Sequence, residues 1–455
     1  MIVVDAYQGK RIGVFGLARS GLAACRSLVE GGAGVLAWDD KESQRSASPV
    51  PPVNLTQENF EGLTALVVSP GVPLTFPKAH PLVKKAHDAG VPVLGDMELF
   101  ALARASLPKH KLVAVTGTNG KSTTTALLAH CLSEGGLSAL GAGNIGIPVL
   151  DIDPLPEGGI YVFELSSFQL DLTESLKPEV AIILNVSPDH LDRHGSMSNY
   201  VAAKRRIFEM QEGDGVAVIG VDDAYGRAMA ETLPQKVIPV SCEGPVEGGV
   251  YVLDGMLFDA TSGAEREIGP VGTNRALRGK HNGQNAAAVF AAARELGVAP
   301  DKILAAFETF EGLPHRLEIV GEKDGVHFIN DSKASNTGAA LRSLEAFENV
   351  YWIAGGQFKE TSLEMFTPVL SHVKKAYLIG KDDRIFVNFL RHKVPFEQSH
   401  TLEVAIRAAA RDAKKDGGVV LLAPACASFD QFRNFEHRGE VFRKVARAVI
   451  QGGAP

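Results

Sequence analysis

Short runs of apolar, often β-branched residues recur along the chain, and each leads into a stretch with helical spacing of apolar positions. The clearest runs read RIGVFG, ALVVSPG, LVAVTG, VAIILN, VYWIAGG and VVLLAPA. A strand followed by a helix, repeated many times, is typical of parallel sheets with crossover helices. No short internal repeat period is evident. The pattern therefore predicts α/β architecture throughout.

Two polar segments interrupt this alternation. Residues 104–111, RASLPKHK, indicate a hinge before the strand LVAVTG, and residues 311–316, EGLPHR, indicate a second hinge that closes a helix beginning near Asn285. We therefore predict three domains, residues 1–106, 107–312 and 313–455. Within the second domain, the glycine-rich stretch 244–273 predicts a small antiparallel appendage.

Composition and charge narrow the classes of function. With 455 residues, 45% of them hydrophobic and 22% charged, the chain has ordinary globular composition and room for domains of roughly 100 to 200 residues. Lys and Arg number 46 against 53 Asp and Glu, so the net charge of −7 gives no global attraction for nucleic acid or an anionic membrane. A small anionic ligand would need a local positive site.

Further composition signals predict a cytoplasmic protein that binds neither nucleic acid nor membrane. The N-terminal stretch MIVVDAYQGK has an early Asp5 and no basic region, which indicates no signal peptide. The longest uncharged run, 135–150, is broken by Gly, Asn and Pro and is shorter than the ~20 apolar residues of a membrane helix. The cysteines form no C-x-x-C pair and predict neither a disulfide framework nor a zinc site. They are Cys25, Cys131, Cys242 and Cys426.

The N-terminal motif RIGVFGLARSG, residues 11–21, places a strand before a glycine-rich turn and a helix. Its spacing is similar to the G-x-G-x-x-G dinucleotide fingerprint, and a second strand, GVLAWDD, ends at Asp39 and Asp40, near the distance expected for a ribose-binding acid. Ala18 stands where a second glycine would let the backbone approach a pyrophosphate. From these residues alone, a nicotinamide cofactor, another nucleotide diphosphate and a purely structural turn all remain open.

A stronger phosphate-binding signal is AVTGTNGKST, residues 114–123. It resembles a P-loop, but only two residues separate Gly117 from the Gly120-Lys121 pair, where about four are usual. A buried strand precedes the loop and a helix follows it, so backbone N–H groups and the helix dipole can hold a polyphosphate. Lys121 would contact the β- and γ-phosphates, and Ser122 or Thr123 would hold Mg²⁺. The alternative is a tight turn with a solvated lysine.

Two later motifs place metal-ligand types after predicted strands. YVFELSSFQLD ends a strand at Glu164, and NVSPDHLDRHG follows a strand that ends at Asn185 with Asp189, His190 and Asp192. Because the carboxyl ends of parallel strands meet at one edge of a sheet, we expect these residues near the phosphate loop. Each residue alone is better explained as a helix cap or a surface group. Their joint placement favours a metal–phosphate site.

Three further motifs cluster polar residues in the second half of the chain. LRGKHNGQNAAAVFAAA puts Asn282 and Asn285 where a helix begins, and its position favours an N-cap role for Asn282. LLAPACASFDQFRNFEHRG follows a strand with small residues and hydroxyls, which suits either a helix N-terminus that binds a carboxylate or a tight connection. GLPHRLE and INDSKASN contribute Arg316, Asp331, Lys333 and Ser335.

Taken in order, TGTNGKST, FELSSFQL, NVSPDHLDRH, HNGQN, GLPHR, NDSKASN and PACASFDQF closely resemble the motifs of the Mur ligases, and the resemblance spans nearly the whole chain. It implies an N-terminal Rossmann-like domain for a UDP sugar, a central P-loop ATPase-type parallel sheet, and a C-terminal dinucleotide-fold domain that closes over both. It also implies an ATP-dependent amide ligase that forms an acyl phosphate, uses ATP and Mg²⁺, acts on small molecules and is a monomer.

The last motif and the N-terminal GLARSG, DD and SPGVP segments resemble one branch of that family. This branch adds D-glutamate to UDP-N-acetylmuramoyl-L-alanine in cytoplasmic peptidoglycan precursor synthesis. On this resemblance, the first motif would bind UDP rather than a nicotinamide cofactor.

The resemblance also implies roles for individual residues. The catalytic residues would be Lys121, His190 and Lys204, the last as a lysine carbamylated by CO₂, which nothing in the local stretch AAKRRIF itself indicates. ATP binding would fall to Gly117, Thr118, Asn119, Gly120, Lys121, Ser122, Thr123, Asn282, Asn285, Arg316 and Asp331. The UDP substrate would contact Ser20, Asp39, Gly71, Asn144, Ser166, Gln169 and His190. The amino acid would contact Lys333, Ser335, Lys359, Ser428 and Phe435. The metal ligands would be Ser122, Thr123, Glu164, His190 and Lys204.

Other functions explain parts of the sequence. A Mur ligase that adds L-alanine, a diamino acid or a dipeptide is the nearest alternative. Folylpolyglutamate synthetase shares the P-loop and metal sites, but the UDP-type N-terminus and PACASFDQF argue against it. An NAD(P)-dependent oxidoreductase would explain the first motif and leave Lys121, Glu164 and His190 without a role. A non-catalytic nucleotide-binding regulator would tolerate loss of the Mg²⁺ ligands.

Overall fold

The chain forms two compact units, Met1–Phe310 and Glu311–Pro455. The computed structural model describes residues 1–277, 279–360 and 362–452, with the backbone alone at positions 275 and 281. Two sheets in the first unit and one in the second alternate with helices along the chain. The predicted α/β class is confirmed.

The first sheet has four parallel strands near the N-terminus. The strands are β1 (Arg11–Phe15), β2 (Gly34–Trp38), β3 (Leu63–Val68) and β4 (Val93–Leu94). Its helices are α1 (Arg19–Glu30), α2 (Glu42–Arg45), α3 (Pro81–Asp88) and α4 (Asp96–Ala103), followed by a 3₁₀ turn, Arg104–Ser106. The spatial order of the strands is β2-β1-β3-β4.

Close backbone approach sets the turn between β1 and α1. Gly16 has a φ of +92°, and a Cβ there would lie 2.6 Å from the Ser69 Oγ. A Cβ on Gly21 would overlap the Gly16 carbonyl oxygen, to which the Ser69 hydroxyl donates at 2.8 Å. The glycines of GLARSG therefore let α1 pack directly on the turn and bring the loop after β3 beside it.

The second sheet has nine strands. They are β5 (His110–Thr116), β6 (Ala139–Gly143), β7 (Gly159–Glu164), β8 (Val180–Ile183), β9 (Val216–Gly220), β10 (Lys236–Ser241), β11 (Val250–Leu253), β12 (Met256–Asp259) and β13 (Arg266–Pro270). Its helices are α5 (Lys121–Glu134), α6 (Ser167–Leu170), α7 (Leu191–His194), α8 (Met197–Glu209), α9 (Ala224–Ala230), α10 (Lys280–Glu295) and α11 (Pro300–Thr309), with a 3₁₀ turn at Arg275–Leu277.

The strand order in this sheet is β13-β12-β11-β10-β9-β8-β5-β7-β6. In this spatial order, the neighbouring strands from β11 through β5 to β6 pair in parallel. Strand β12 pairs antiparallel with both β11 and β13. The antiparallel strands lie within the glycine-rich stretch 244–273 and continue the parallel sheet at its edge.

The central strands of the second sheet are buried on both faces. Along β5, Leu112 and Ala114 belong to one apolar core, and Val113 and Val115 belong to the other. Helix α4 contributes Phe100 to the first core, while the alanine-rich face of α10 fills the second. Burial on both faces explains why these strands read as continuous apolar runs. It also leaves the carboxyl ends of the strands as the place where polar residues collect.

The second unit contains a six-stranded sheet. Its strands are β14 (Glu318–Lys323), β15 (Val326–Asn330), β16 (Val350–Gly355), β17 (Val373–Ile379), β18 (Phe396–His400) and β19 (Gly418–Leu422). Its helices are α12 (Thr337–Glu345), α13 (Asp383–Leu390), α14 (Leu402–Ala413) and α15 (Phe435–Ile450), with a 3₁₀ segment at Glu364–His372. The order is β14-β15-β19-β16-β17-β18, and only the β14–β15 pair is antiparallel among these pairings.

Two local predictions around α10 were wrong. The segment before residue 311 contains two helices rather than one, because Gly297 adopts a φ of +95° and interrupts the helix between α10 and α11. Gly279 occupies the N-cap of α10, so Asn282 lies inside the first turn and is not the cap. Among the helices of the described ranges, none combines the length and apolar composition needed to cross a membrane.

Candidate active site

The loop that the sequence predicts to bind phosphate, residues 117–120 and here called the phosphate loop, lies between β5 and α5 at the carboxyl edge of the nine-stranded sheet. Gly117 and Gly120 have φ values of +150° and +86°. A Cβ at Gly120 would collide with the Asn285 Oδ1, so glycine is required for this close approach. Because α5 is 14 residues long and starts at Lys121, its N-terminal N–H groups and dipole favour an anion. The geometry suits a phosphate group and brings α10 beside it.

Asn185, which follows β8, holds the loop in this shape. Its carbonyl oxygen accepts the Thr118 N–H at 2.8 Å. Its Oδ1 accepts the Asn119 N–H at 2.9 Å, and its Nδ2 donates to the Asn119 carbonyl at 3.2 Å. The same Nδ2 donates to the Gln284 Oε1 at 3.1 Å, and the Gln284 Nε2 donates to the Asp222 Oδ2 at 2.7 Å. A hydrogen-bonded chain thus joins the loop to α10 and to the segment after β9.

Sequence reasoning missed two residues of this hydrogen-bonded network, Gln284 and Asp222. Gln284 lies within HNGQN, and Asp222 follows the apolar run VAVIG. A polar residue just after a buried strand was the available signal for Asp222. The predicted neighbours Asn282 and Asn285 are both buried, and the Asn285 Nδ2 donates to the Asn282 Oδ1 at 3.0 Å.

Two lysines meet at the phosphate loop. The Lys121 Nζ donates to the carbonyl oxygens of Gly117 and Thr118, each at 2.9 Å. Lys204, on α8, is 1% exposed, and its Nζ donates to the Gly117 carbonyl at 2.8 Å. Burial, followed by the charge of Lys121, holds the pKa of Lys204 well below the ordinary lysine value, although nearby carboxylates act in the opposite direction. The structure therefore favours a neutral amine at Lys204.

Glu164 ends β7 and is 2% exposed. Its Oε1 accepts a hydrogen bond from the Asn144 Nδ2 at 2.8 Å, while its Oε2 has no hydrogen-bond partner within the described residues. A buried carboxylate oxygen of this kind suits a hard cation such as Mg²⁺. Over the described ranges, no group of three or more His, Cys, Asp or Glu side chains could hold a metal ion. A cation here would therefore need other oxygens, such as the hydroxyl of the buried Ser122 and its neighbour Thr123, or phosphate.

His190 follows β8 with a left-handed backbone, φ +52°. It occupies the N-cap position of α7 but makes no side-chain capping bond to a described residue. Its Nε2 lies 3.6 Å from the Asp189 Oδ2, and its ring centroid lies 4.9 Å from that of Phe168. The imidazole is exposed and accessible to a ligand.

Three of the residues predicted to contact a UDP sugar, Ser20, Asp39 and Gly71, lie on the turns of the first sheet. Ser20 is in the first turn of α1, and Gly71 is exposed in the loop after β3. Both carboxylate oxygens of Asp39 accept backbone N–H groups, from Leu17 at 2.7 Å and from Lys41 at 2.8 Å. Asp39 therefore holds two turns together, which is a structural role in addition to the predicted ligand contact.

Ser166 and Gln169 form a capping box at the start of α6. The Gln169 N–H donates to the Ser166 Oγ at 3.2 Å, and the Ser166 N–H donates to the Gln169 Oε1 at 3.1 Å. Helix capping is sufficient to explain why serine and glutamine occupy these two positions. A substrate contact for either residue stays a prediction.

In the second unit, a buried arginine ties together the loops after β15 and β19. Arg438, on α15, donates to the Ser332 Oγ at 3.0 Å, the Ser332 carbonyl at 2.8 Å and the Cys426 carbonyl at 3.0 Å. The Lys333 Nζ lies 4.0 Å from the ring centroid of Phe435. Sequence reasoning missed Arg438, because one arginine within FEHRGEVF carries no motif signal.

Asp331 follows β15 and is 8% exposed. Burial raises its pKa to about 6, although a hydrogen bond from the Ser343 hydroxyl and the charge of Arg316 act in the opposite direction. Arg316 lies in the turn before β14, where its N–H donates to the Leu313 carbonyl at 3.2 Å.

The other residues predicted to contact the amino-acid substrate differ in how exposed they are. Ser428 is buried in the loop after β19, whereas Ser335 and Lys359 are exposed. The Lys359 Nζ lies 5.5 Å from the ring centroid of the exposed Phe429. Within this unit, the structure brings together Lys333 and Phe435.

Known proteins are similar to this chain in sequence, and two domain families match parts of it. Residues 115–293 match the Mur ligase middle domain, and residues 315–426 match the Mur ligase, glutamate ligase domain. The chain is 46% identical over 466 residues to UDP-N-acetylmuramoylalanine--D-glutamate ligase of Phenylobacterium zucineum, covering 100% of this chain and 99% of that protein. It is also 46% identical over 463 residues to the protein of the same name from Paramagnetospirillum magneticum, covering 100% of each.

Solved structures have the same fold at lower sequence identity. UDP-N-acetylmuramate-alanine ligase of Thermotoga maritima aligns with a TM-score of 0.59 and 18% identity, over 97% of this chain and 99% of that one. MurF of Acinetobacter baumannii aligns with a TM-score of 0.55 and 17% identity, over 77% and 80% of the two chains. Two Mur ligase domain models match the chain, and its full-length relatives carry the name of one Mur ligase. The chain therefore belongs to the Mur ligase family.

Proposed function

We propose that the chain is an ATP-dependent amide ligase that adds D-glutamate to UDP-N-acetylmuramoyl-L-alanine in peptidoglycan precursor synthesis. The observation that carries this proposal is the 46% identity, along the whole chain, with the Phenylobacterium zucineum ligase. The glycine-rich loop at the start of α5 supplies a site for the phosphates of ATP. We further propose that the enzyme acts in the cytoplasm as a monomer.

We also propose three domains with the boundaries predicted from sequence. Residues 1–106 would bind the UDP sugar, residues 107–312 would bind ATP, and residues 313–455 would bind the amino acid and close over ATP. The separate four-stranded and nine-stranded sheets of the first unit support the first boundary.

The chemistry begins with a carboxylate, which is a poor acyl donor. One carboxylate oxygen of UDP-N-acetylmuramoyl-L-alanine bonds to the γ-phosphorus of ATP while the bond from that phosphorus to the β,γ-bridging oxygen breaks, giving an acyl phosphate and ADP. The neutral amine of D-glutamate attacks the acyl carbon and loses a proton, and phosphate leaves with the former carboxylate oxygen. We assign stabilisation of the phosphoryl charge to Lys121 and the loop N–H groups.

We assign Mg²⁺ binding to the carboxyl edge of the second sheet. Bound there, the ion would supply positive charge beside the phosphoryl oxygens. The unpartnered Oε2 of Glu164 supports the assignment. Carbamylation would turn the Lys204 amine into an anionic oxygen ligand, and the lowered pKa of Lys204 supports this because only the neutral amine reacts with CO₂. The proposed ligands are Ser122, Thr123, Glu164, His190 and carbamylated Lys204.

The second unit would contribute to both ATP and amino-acid binding. D-Glutamate carries two carboxylates, which require cationic or N–H partners. Lys333, near the ring of Phe435, is one such cation. The proposed amino-acid contacts are Lys333, Ser335, Lys359, Ser428 and Phe435, and the proposed ATP contacts in this unit are Arg316 and Asp331.

Phosphate release from ATP and Mg²⁺ tests the function. The assay uses UDP-N-acetylmuramoyl-L-alanine with D-glutamate, L-glutamate or no amino acid. We expect release that depends on both the UDP substrate and D-glutamate. Release with L-glutamate alone would change the named amino acid, and no coupled release from folded protein would contradict the proposal.

Replacing Gln284 with leucine is expected to weaken ATP binding selectively. The variant removes the acceptor for the Asn185 Nδ2 and the donor to the Asp222 carboxylate, so the loop is less well held. We expect the KM for ATP to rise about 10-fold while the KM for the UDP substrate stays within about 2-fold. Initial-rate kinetics measure both.

Gln211→Leu is the matched control for this variant. Like Gln284, Gln211 both donates and accepts through its side-chain amide: it donates to the carbonyls of Pro178 and Val216, at the amino ends of β8 and β9, and accepts from the Gln235 Nε2. The Gln211→Leu variant should leave the KM for ATP unchanged. An unchanged KM for ATP in folded Gln284→Leu would show that the hydrogen-bonded chain does not support ATP binding.

A further inference from the structure

Arg193 lies on one segment that carries a predicted substrate residue and contacts two others. It lies in α7, shortly after His190. Its Nη2 donates to the backbone carbonyl oxygens of Val72 and, at 3.4 Å, Pro70 in the loop after β3. Its guanidinium carbon lies 5.2 Å from the ring centroid of Phe168 in α6. One side chain therefore joins a loop of the first sheet to two helices of the second.

The loop held by Arg193 contains Gly71, which is exposed between the two anchored carbonyls. The Val72 N–H donates to the Ser69 carbonyl at 2.9 Å and closes a turn around Gly71. The Ser69 hydroxyl donates to the Gly16 carbonyl at 2.8 Å. Anchoring these carbonyls therefore fixes how Gly71 is presented and how this loop meets the turn before α1.

The other contacts of Arg193 lie in α6 and its surroundings. Phe168 stands between Ser166 and Gln169, the capping pair of α6. Burial lowers the pKa of Arg193, whereas the charges of Asp171 and Asp192 act in the opposite direction. A guanidinium can donate hydrogen bonds in its plane while its face covers an aromatic ring, whereas a lysine ammonium has no planar face.

We propose that Arg193 is a positioning residue for the UDP substrate. It holds the 70–72 loop against α6 and α7, so that Gly71, His190 and the capped start of α6 are presented at fixed spacing. This inference rests on the proposed function, since it takes these segments to line the pocket for UDP-N-acetylmuramoyl-L-alanine. Loss of Arg193 would weaken binding of that substrate and leave the phosphate loop intact.

A second arginine provides a matched control. Arg26, on α1, donates from its Nη2 to both carboxylate oxygens of Asp151, each at 2.8 Å. It also joins the first-sheet region to a segment of the second, but this ion pair is exposed and lies six residues beyond Ser20 on α1 and seven residues beyond Asn144 in the segment after β6. A general effect of loosening the two sheets would appear in both arginine variants.

The test compares wild type with Arg193→Met, Arg193→Lys and Arg26→Met. Calorimetric titration with UDP-N-acetylmuramoyl-L-alanine, without ATP, measures its Kd, and phosphate release measures kcat and each KM. We expect Arg193→Met to raise the Kd and KM of the UDP substrate about 10-fold, and Arg193→Lys to recover only part of this loss. The KM for ATP should stay within about 2-fold of wild type in both Arg193 variants. The Kd of Arg26→Met for the UDP substrate should also stay within about 2-fold of wild type.

A wild-type UDP-substrate Kd in Arg193→Met, or an equal rise in Arg26→Met, would overturn the inference. If Arg193→Met does not fold, Phe168→Leu removes the ring under the Arg193 guanidinium, together with the contacts of that ring to His190 and His194, and should raise the Kd about 3-fold. Wild-type affinity in both Phe168→Leu and Arg193→Lys would then overturn it. Wild-type protein that neither binds nor turns over the UDP substrate would instead contradict the proposed function, and this inference with it.

Discussion

Alanine in place of Lys121 is expected to reduce phosphate release that depends on the UDP substrate and D-glutamate by about 1,000-fold or more. The Lys121 Nζ lies 2.9 Å from two carbonyl oxygens of the phosphate loop. Without it, the charge that develops on the γ-phosphoryl oxygens loses its direct cationic partner. The loss should fall mainly on kcat, because this interaction is strongest in the transition state. Initial rates at saturating substrates measure the effect.

Two further variants separate this role from general effects of charge and folding. Lys121→Arg keeps the charge but changes its shape and reach, so we expect little recovery. Lys111→Ala removes an exposed lysine near the opposite end of β5 and should leave the rate within about 2-fold. Coupled turnover of Lys121→Ala within about 10-fold of wild type would remove Lys121 from the mechanism.

The second large effect is expected at Lys204. Methionine has a similar length and suits a site that is 1% exposed, so Lys204→Met should fold. Its rate should nevertheless fall about 1,000-fold, because no carbamate can form to complete the metal site. In wild type, ¹³CO₂ should give a carbamate NMR resonance that the variant lacks, and removal of CO₂ should lower the rate. CO₂-independent activity, or activity in Lys204→Met, would contradict carbamylation.

The lowered pKa of Lys204 also sets the direction of a pH dependence in CO₂-free buffer. The folded protein holds a neutral amine over a window in which the unfolded chain, with the ordinary lysine pKa of 10.5, is protonated. Unfolding therefore takes up a proton, and this residue makes the free energy of unfolding rise with pH from the folded pKa up to 10.5. Lys204→Met should lack that rise. Denaturant titrations at several pH values measure the difference, and equal slopes would contradict the lowered pKa.

Carbamylation itself should respond to pH in the same direction. Below the folded pKa of Lys204, the amine is protonated and does not add CO₂. Activity that depends on added CO₂ should therefore be lost as the pH falls through that value. The burial that lowers the pKa would then be the feature that makes the lysine reactive towards CO₂.

Local patterns were sufficient for the α/β class and for the glycine-rich turn between β5 and α5. Strands buried on both faces read as apolar runs, and the turn after β5 needs glycine at residues 117 and 120 because their φ values are positive. Both properties depend on residues that are neighbours in the chain. The same reasoning misplaced the start of α10, because residue type favoured Asn282 as the N-cap, whereas Gly279 occupies that position in the structure.

The residues that sequence reasoning missed make hydrogen bonds across long separations. Gln284 meets Asn185 and Asp222, Arg193 meets the 70–72 loop, and Arg438 joins the loops after β15 and β19. No fixed spacing connects such partners, so a one-dimensional pattern does not reveal them. Each was visible only as a polar residue without an assigned role.

By itself, the sequence determined the alternation of strands and helices, the glycine-dependent loop before α5, and the polar residues that follow several of the strands. The tertiary structure decided which of those polar residues meet. It buries Lys204 against Gly117, leaves one oxygen of Glu164 without a partner among the described residues, and clamps the phosphate loop with Asn185. The physical reason is that burial, pKa and long-range hydrogen bonding depend on distances in the packed fold, whereas turns and periodicity depend on neighbours along the chain.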